Sequence, residues 1–338
     1  MYKLLEKLCN ENGISGAETS VRDIIIDEIK DFCEYSVDNS GNIIAFKKGK
    51  KSPKKKIMVA AHMDEVGFIV TGYTSDGNLT FAKVGGIDDR VIIGRRVFVG
   101  DDKIPGVIGT KAVHLQSADE RKSVVSYDKL YIDIGCKDKS EAESFVSRGE
   151  QVCFDGKFDS FGNGFFKGKA IDDRMGCAIM VSLIKEELLY DTYFAFCVQE
   201  EIGCRGSKVA AFSVNPDVAV VLEATTAADL PDVSGDDKVC TLGDGAVVGF
   251  MDCATMYPKD LYKLCHKIGK EKNIKVQTKT KVSGGNDAGA IHKAVSGVKT
   301  IAVSVPCRYI HSPYCVVKKD DIEAVKSLTT ELLKEIGE

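Results

Sequence analysis

The chain has 338 residues, 44% hydrophobic and 28% charged, with a formal net charge of -4. That length suits two domains, or one large and one small, and is enough to bury a substantial core. The balanced charge and the lack of any apolar run of about 18 residues imply neither a nucleic-acid nor a membrane partner.

Twelve cysteines are scattered with no CxxC pair and no leader segment ahead of them. That is the pattern of reduced thiols in a cytoplasmic protein. Residues 1 to 34 read as two helices: Leu4, Leu5 and Leu8, a break over Asn12 to Gly16, then Val21, Ile24, Ile25 and Ile29 at helical spacing. Turn residues Asp38 to Gly41 and a strand-like Asn42 to Phe46 predict a hairpin. Seven lysines between Lys47 and Lys56 surround Pro53 and read as a solvated loop.

The apolar run from Ile57 then ends in His62-Met63-Asp64-Glu65. An imidazole at the carboxyl end of a buried strand is where open α/β sheets place ligand chemistry. Strand alternation puts Asp64 on the same face as His62, where it can accept the second ring N–H of a metal-bound histidine.

From about Glu65 to Phe161 the texture changes to short β-rich runs punctuated by Gly and Asp, with one helical segment, Ser140 to Ser147. This predicts a small β-rich domain inserted into the first: catalytic domain 1–64, insert 65–161, catalytic domain resumed over 162–338. His114 lies in the insert and reads as structural.

The α/β texture resumes at GKAIDDRMG. Asp172 and Asp173 precede a strongly apolar helix, Met175 to Leu188. One such Asp would be an ordinary helix cap, but two in series beside Gly168 and Gly176 favour a ligand. The next apolar strand, Tyr193 to Val198, runs into Glu200 and Glu201, with Gly203 expected to supply the turn. Adjacent strand side chains point to opposite faces, so two neighbouring carboxylates do different jobs unless the chain turns. A third strand, in residues 217–231, is expected to end at Glu223. After a helix over Lys259 to Lys272 comes the Gly-rich SGGNDAG, which lacks the residues of a phosphate-binding loop. A further strand leads to His311, fixed from behind by Ser312-Pro313, and a C-terminal amphipathic helix spans 318–337. His266 and His292 lie in helical patterns and read as structural.

Two imidazoles, His62 and His311, and three carboxylates, Asp172, Glu201 and Glu223, suit two divalent ions of the zinc type, with one carboxylate bridging. A pair of ions about 3.5 to 4 Å apart activates water and polarises a carbonyl, the apparatus of amide hydrolysis. Glu200, not needed as a ligand, is free to take the water's proton and hand it to the leaving amine.

AHMDEVGFIV, KAIDDRMGCA, VQEEIGCRGS and RYIHSP, in that order with a β-rich insert after the first, resemble a known family. These are the cytosolic dinuclear metallo-aminopeptidases of tetrahedral, TET-type dodecamers, among them glutamyl and leucyl aminopeptidases, some once labelled endoglucanases. The resemblance extends over nearly the whole chain, including GVIGTKAVHL and GGNDAGAI.

It implies a three-layer zinc-peptidase-like α/β domain, a mixed sheet flanked by helices, with a PDZ-like insert that makes subunit contacts. It further implies two divalent ions, Zn or Co, with His62 and Glu223 on one, Glu201 and His311 on the other, and Asp172 between them. Glu200 becomes the general base, Asp64 the partner of His62, and the Asp172–Asp173 peptide bond cis. Peptides are the implied substrate, and the chain itself the implied partner. Two departures stand out: Glu223 where the family usually has Asp, and Cys315 where Glu is common. Rival readings are a deacylase or dipeptidase of the same core, a glycoside hydrolase, which needs two carboxylates and no histidines, and a non-catalytic assembly protein.

Overall fold

The computed structural model describes residues 1–338. Its main element is an eight-stranded sheet. From one edge the strands run Glu34–Val37, Ile43–Lys47, Thr192–Cys197, Ile57–His62, Val218–Thr226, Lys299–Cys307, Ala246–Val248 and Val276–Thr278. The four central strands, Thr192–Cys197 to Lys299–Cys307, are mutually parallel; antiparallel pairings join Ile43–Lys47 and Ala246–Val248 to them, and the edge strand Val276–Thr278 runs parallel to Ala246–Val248. Every residue of Ile57–His62 is buried, which accounts for its unbroken apolar character before the histidine.

Both faces of the sheet must therefore be covered, and the order of the strands says how. Helix Ile171–Ile184 leads from Phe165–Gly168, which forms a small three-stranded sheet with Asp159–Phe161 and Cys315–Lys318, into Thr192–Cys197, on one side of the His62 strand; helix Arg205–Val214 then leads back across it to Val218–Thr226. Right-handed crossovers made in opposite directions lie on opposite faces. Tyr2–Asn10, Thr19–Ile29 and the C-terminal Lys319–Ile336 pack with Ile171–Ile184, and the short Ala288–Ile291 packs with Arg205–Val214. The main core joins 63 buried residues across these three layers.

Between Gly67 and Phe154 six short strands close into a barrel. It has its own core, in which Phe68 packs edge-on against Phe81 and Phe154, separate from the main one. Lys47 to Lys56 is a mostly exposed loop, as its charge requires. His266 and His292 are held inside the chain by Thr278 Oγ1 at 3.2 Å and by the Ala288 carbonyl at 2.8 Å. His114 differs from expectation: it is exposed on a short 3-10 turn between Val113 and Leu115, also exposed, and no packing on that turn draws it inward.

Candidate metal centre and active site

Four parallel strands present their carboxyl ends at one edge, the position at which α/β sheets bind ligands. His62 closes its strand opposite Cys197, and the Met63 amide donates to the Cys197 carbonyl at 2.8 Å. Glu223 corrects the sequence reading. It does not end its strand, which continues to Thr226. The pairing Val221 with Ala60 sets the register, and two residues on it brings Glu223 level with His62. What matters for reach is this level, not the strand's end.

Asp172 sits where helix Ile171–Ile184 starts with a kink: Asp172 and Asp173 have non-helical dihedrals and the peptide bond between them is cis, as the resemblance implied. Asp172 turns one oxygen to each histidine. Its Oδ1 is 3.3 Å from His62 Nε2 and its Oδ2 is 3.5 Å from His311 Nε2. Glu223 Oε1 is 3.5 Å from His62 Nε2, and Glu201 Oε2 is 3.1 Å from His311 Nε2. Glu200 Oε2 stands slightly apart, 4.0 Å from His62 Nε2. All the residues singled out from the sequence thus converge on one place.

Glu200 and Glu201 reach it from a turn that begins earlier than expected, at Gln199 with φ 56°, and continues through Gly203. Its amides are gathered by acids. The Gln199 N–H donates to Glu18 Oε1 at 3.0 Å, and those of Glu200 and Glu201 donate to Asp64 Oδ1 and Oδ2 at 3.0 and 3.1 Å. Asp64 therefore does more than expected. Its carboxylate is 3.5 Å from His62 Nδ1, while the nearer acceptor for that ring nitrogen is its own backbone carbonyl at 3.1 Å. Ser15 Oγ donates to the same carboxylate at 2.6 Å.

Sequence reasoning missed three supports. His311 Nδ1 meets the carbonyl of Gly86, which follows a barrel strand, at 2.8 Å; this hydrogen bond turns Nε2 toward Asp172 and Glu201. Gly85, beside it, has φ 85°, and a Cβ there would lie 2.7 Å from Val66 Cγ1 and 3.3 Å from Glu201 Cβ. The Gly85-Gly86 pair was the visible signal. We expect Gly85→Ala to displace Glu201 and weaken metal retention by roughly 10–100-fold, as loss of ligand support does, read as the chelator concentration needed to strip the protein. Unchanged retention would show that this close approach is dispensable.

The second is a buried network: Glu65 Oε1 accepts from Lys169 Nζ at 2.5 Å, Arg174 Nη2 at 3.3 Å and the Gly13 amide at 3.2 Å. The third is Asp173, whose carboxylate accepts from the His62 amide at 3.3 Å and the Gly176 amide at 3.1 Å, pinning the strand end to the kink.

The electrostatics call for cations. Burial alone would lower the His311 pKa, but the carboxylates of Asp172 and Glu201 push it up to about 11. His62 is likewise held well above its usual range against burial by Glu223, Asp172 and Asp64. Burial and the Asp172 charge push Glu223 up, and burial, helped by Asp287, Glu201 and Asp172 against His62, pushes Glu200 up to about 8. Protons are thus drawn in to offset crowded carboxylates. Asp172 Oδ1 is nevertheless buried without a hydrogen-bond donor. Imidazole nitrogens and carboxylate oxygens arranged this way fit divalent metal of the zinc type. The centre opens on a cleft of about 290 Å³, with Thr225, Lys279 and Gly285 on its walls.

Comparison with known proteins agrees with this chemistry. Residues 41–328 match the model of the M42 glutamyl aminopeptidase family. A putative aminopeptidase of Acetivibrio thermocellus is 39% identical over 98% of both chains. Among solved structures, the TET aminopeptidase of Thaumarchaeota archaeon SCGC AB-539-E09 superposes with a TM-score of 0.95 at 33% identity, covering 99% of this chain and 96% of that one. The Pyrococcus horikoshii TET1 peptidase, which can assemble into a tetrahedron or a large octahedral shell, gives 0.88 at 36% identity over 98% of each. The mixed α/β fold, the convergent donor set and these matches together place the chain in the M42 peptidase family: it is a metal-dependent aminopeptidase, a hydrolase of peptide bonds.

Proposed function

We propose that the chain removes single residues from the free amino ends of peptides, using two divalent ions, zinc or cobalt. His62 and Glu223 would hold one, Glu201 and His311 the other, and Asp172 both. The observation that carries this reading is Asp172, whose two oxygens face different histidines. Such ions, when bound, supply a Lewis acid for the peptide carbonyl and a lowered pKa for water. Glu200 is left free beside the pair to take the water's proton and return it to the leaving amine. Asp64 positions His62 and, through the Glu200 and Glu201 amides, the base and one ligand together. Glu223 is one methylene longer than the family's usual Asp, and its Oε1 still comes within 3.5 Å of His62 Nε2. A glycoside hydrolase has no use for the two imidazoles, and a structural metal site has no use for a spare base.

The reading extends to the architecture. The barrel is proposed as a PDZ-like insert over 65–161 between catalytic segments 1–64 and 162–338, and as a surface for contact between copies. Exposed Val113, Leu115 and Val124 suit such contacts, and the tetrahedral relative suggests a dodecamer. No helix is long and apolar enough to cross a membrane, and all twelve cysteines are unpaired, which supports a cytoplasmic protein.

The test is hydrolysis of aminoacyl chromogenic substrates by protein stripped with chelator and then resupplied with Zn or Co. Activity should vanish and return with about two metals per chain, and only for substrates with a free amino group. Turnover that survives full stripping, or equal cleavage of N-acylated substrates, would overturn the assignment.

A further inference from the structure

Cys204 has no part in the function above, yet it touches the proposed base. It follows Gly203 with a left-handed φ of 52°, just before helix Arg205–Val214. Its thiol donates to Glu200 Oε1 at 3.3 Å, whereas Glu200 Oε2 is the oxygen that faces His62. The two oxygens of one carboxylate thus look in different directions. Close to Glu200 and Cys204 stands Asp287, of the SGGNDAG loop. It is fully buried and both its oxygens lack a partner. The nearby donors are engaged elsewhere: Ser207 Oγ donates to the Cys204 carbonyl at 3.2 Å and Cys197 Sγ to the Ala195 carbonyl at 3.6 Å. One ligand atom from each of Glu200, Cys204 and Asp287 lies within 4.8 Å of the others.

A buried carboxylate without donors is costly unless it takes up a proton or a cation offsets it. A thiolate with two carboxylates is a donor set for zinc or cadmium. Entry is open, since Glu200 and Cys204 border a cavity of about 910 Å³. The same cavity carries Arg205, Lys208 and Lys293, which oppose a cation and make the site weaker than the main centre.

We infer that Glu200, Cys204 and Asp287 form an additional, inhibitory site for a thiophilic divalent cation, filled when metal exceeds what the main centre takes. This rests on Glu200 being the general base. On binding, the Cys204 S–H gives its proton to solvent as the S–metal bond forms, and Glu200 Oε1 becomes a ligand, which lowers the basicity of the carboxylate so that Oε2 takes a proton from water less readily.

The experiment titrates metal-loaded, full-length protein with Cd²⁺, following bound metal, the thiolate-to-cadmium absorption band and hydrolysis. The wild type should bind one more equivalent than Cys204→Ala, with the band and the loss of hydrolysis rising together. In Cys204→Ala and Asp287→Asn, each normalised to its own uninhibited rate, the inhibitory midpoint should rise at least as much as the roughly 10–100-fold lost with a mere outer partner of a ligand. Cys204→Ser, closest in size, carries the same expectation. A band and midpoint equal in wild type and variants, or no extra equivalent in the wild type, would overturn the inference. Stoichiometry and band need no turnover, so their failure is distinct from a failure of Glu200 as base, which shows only in the hydrolysis rate of a Glu200 variant.

Discussion

Glu200→Gln is expected to keep the fold and the metal and to lose hydrolysis by about 10²–10⁴-fold, the contribution of a positioned general base. The amide is isosteric, and the backbone of residue 200 stays tied to Asp64 Oδ1 at 3.0 Å, so the turn and its neighbour Glu201 keep their places. What disappears is an oxygen that can accept a proton 4.0 Å from His62. Metal analysis beside steady-state rates separates the two possibilities: a rate that falls with metal content intact assigns the base, and an unchanged rate removes Glu200 from the mechanism.

Arg174→Met is expected to cost about 3–5 kcal/mol, the range for breaking a buried charge network from one side. Arg174 is wholly buried near the start of its helix. Its guanidinium donates to the carbonyls of Met63 at 2.6 Å, Leu8 at 2.5 Å, and Glu11 and Gly13 at 3.1 Å each, besides Glu65. Methionine fills comparable space but leaves four carbonyls without this donor and Glu65 with Lys169 as its one remaining cation. Denaturant unfolding of wild type and variant measures the difference; a midpoint shifted by less than about 1 kcal/mol, the median for an exposed pair, would mean that water replaces the guanidinium at little cost.

Much of the centre could be read from the chain because its residues obey strand logic. His62 is an imidazole at the end of a fully apolar strand, the Glu200-Glu201 pair follows another, and His311 precedes a proline. Four parallel strands brought together are enough to make such ends converge. Glu223 was recognised but misplaced, because an apolar run that continues as Ala224-Thr225-Thr226 carries no mark of where pairing stops. Supports were harder to see. The Gly86 carbonyl and the Ser15 hydroxyl act through hydrogen bonds across 225 and 49 residues, and neither residue type announces its acceptor or donor. Asp287 was hidden in a loop whose glycines drew attention to phosphate, while its carboxylate is buried close to the base. Nothing local to Arg174, beside Asp173, says that its guanidinium will be enclosed by five partners from two distant segments.

The hydrogen bond from His311 to Gly86 carries a consequence for biosynthesis. One histidine of the centre is oriented by a carbonyl from a barrel with a separate core, so neither unit alone can finish the site. On the proposed arrangement, tight metal capture would require both units to have folded and docked. A nascent chain whose barrel lags would lack the carbonyl that turns His311, and on the same arrangement would hold metal loosely. Peptide-cleaving power would thus be withheld from half-made molecules, and a cell would meet the enzyme in working form only after its architecture was complete.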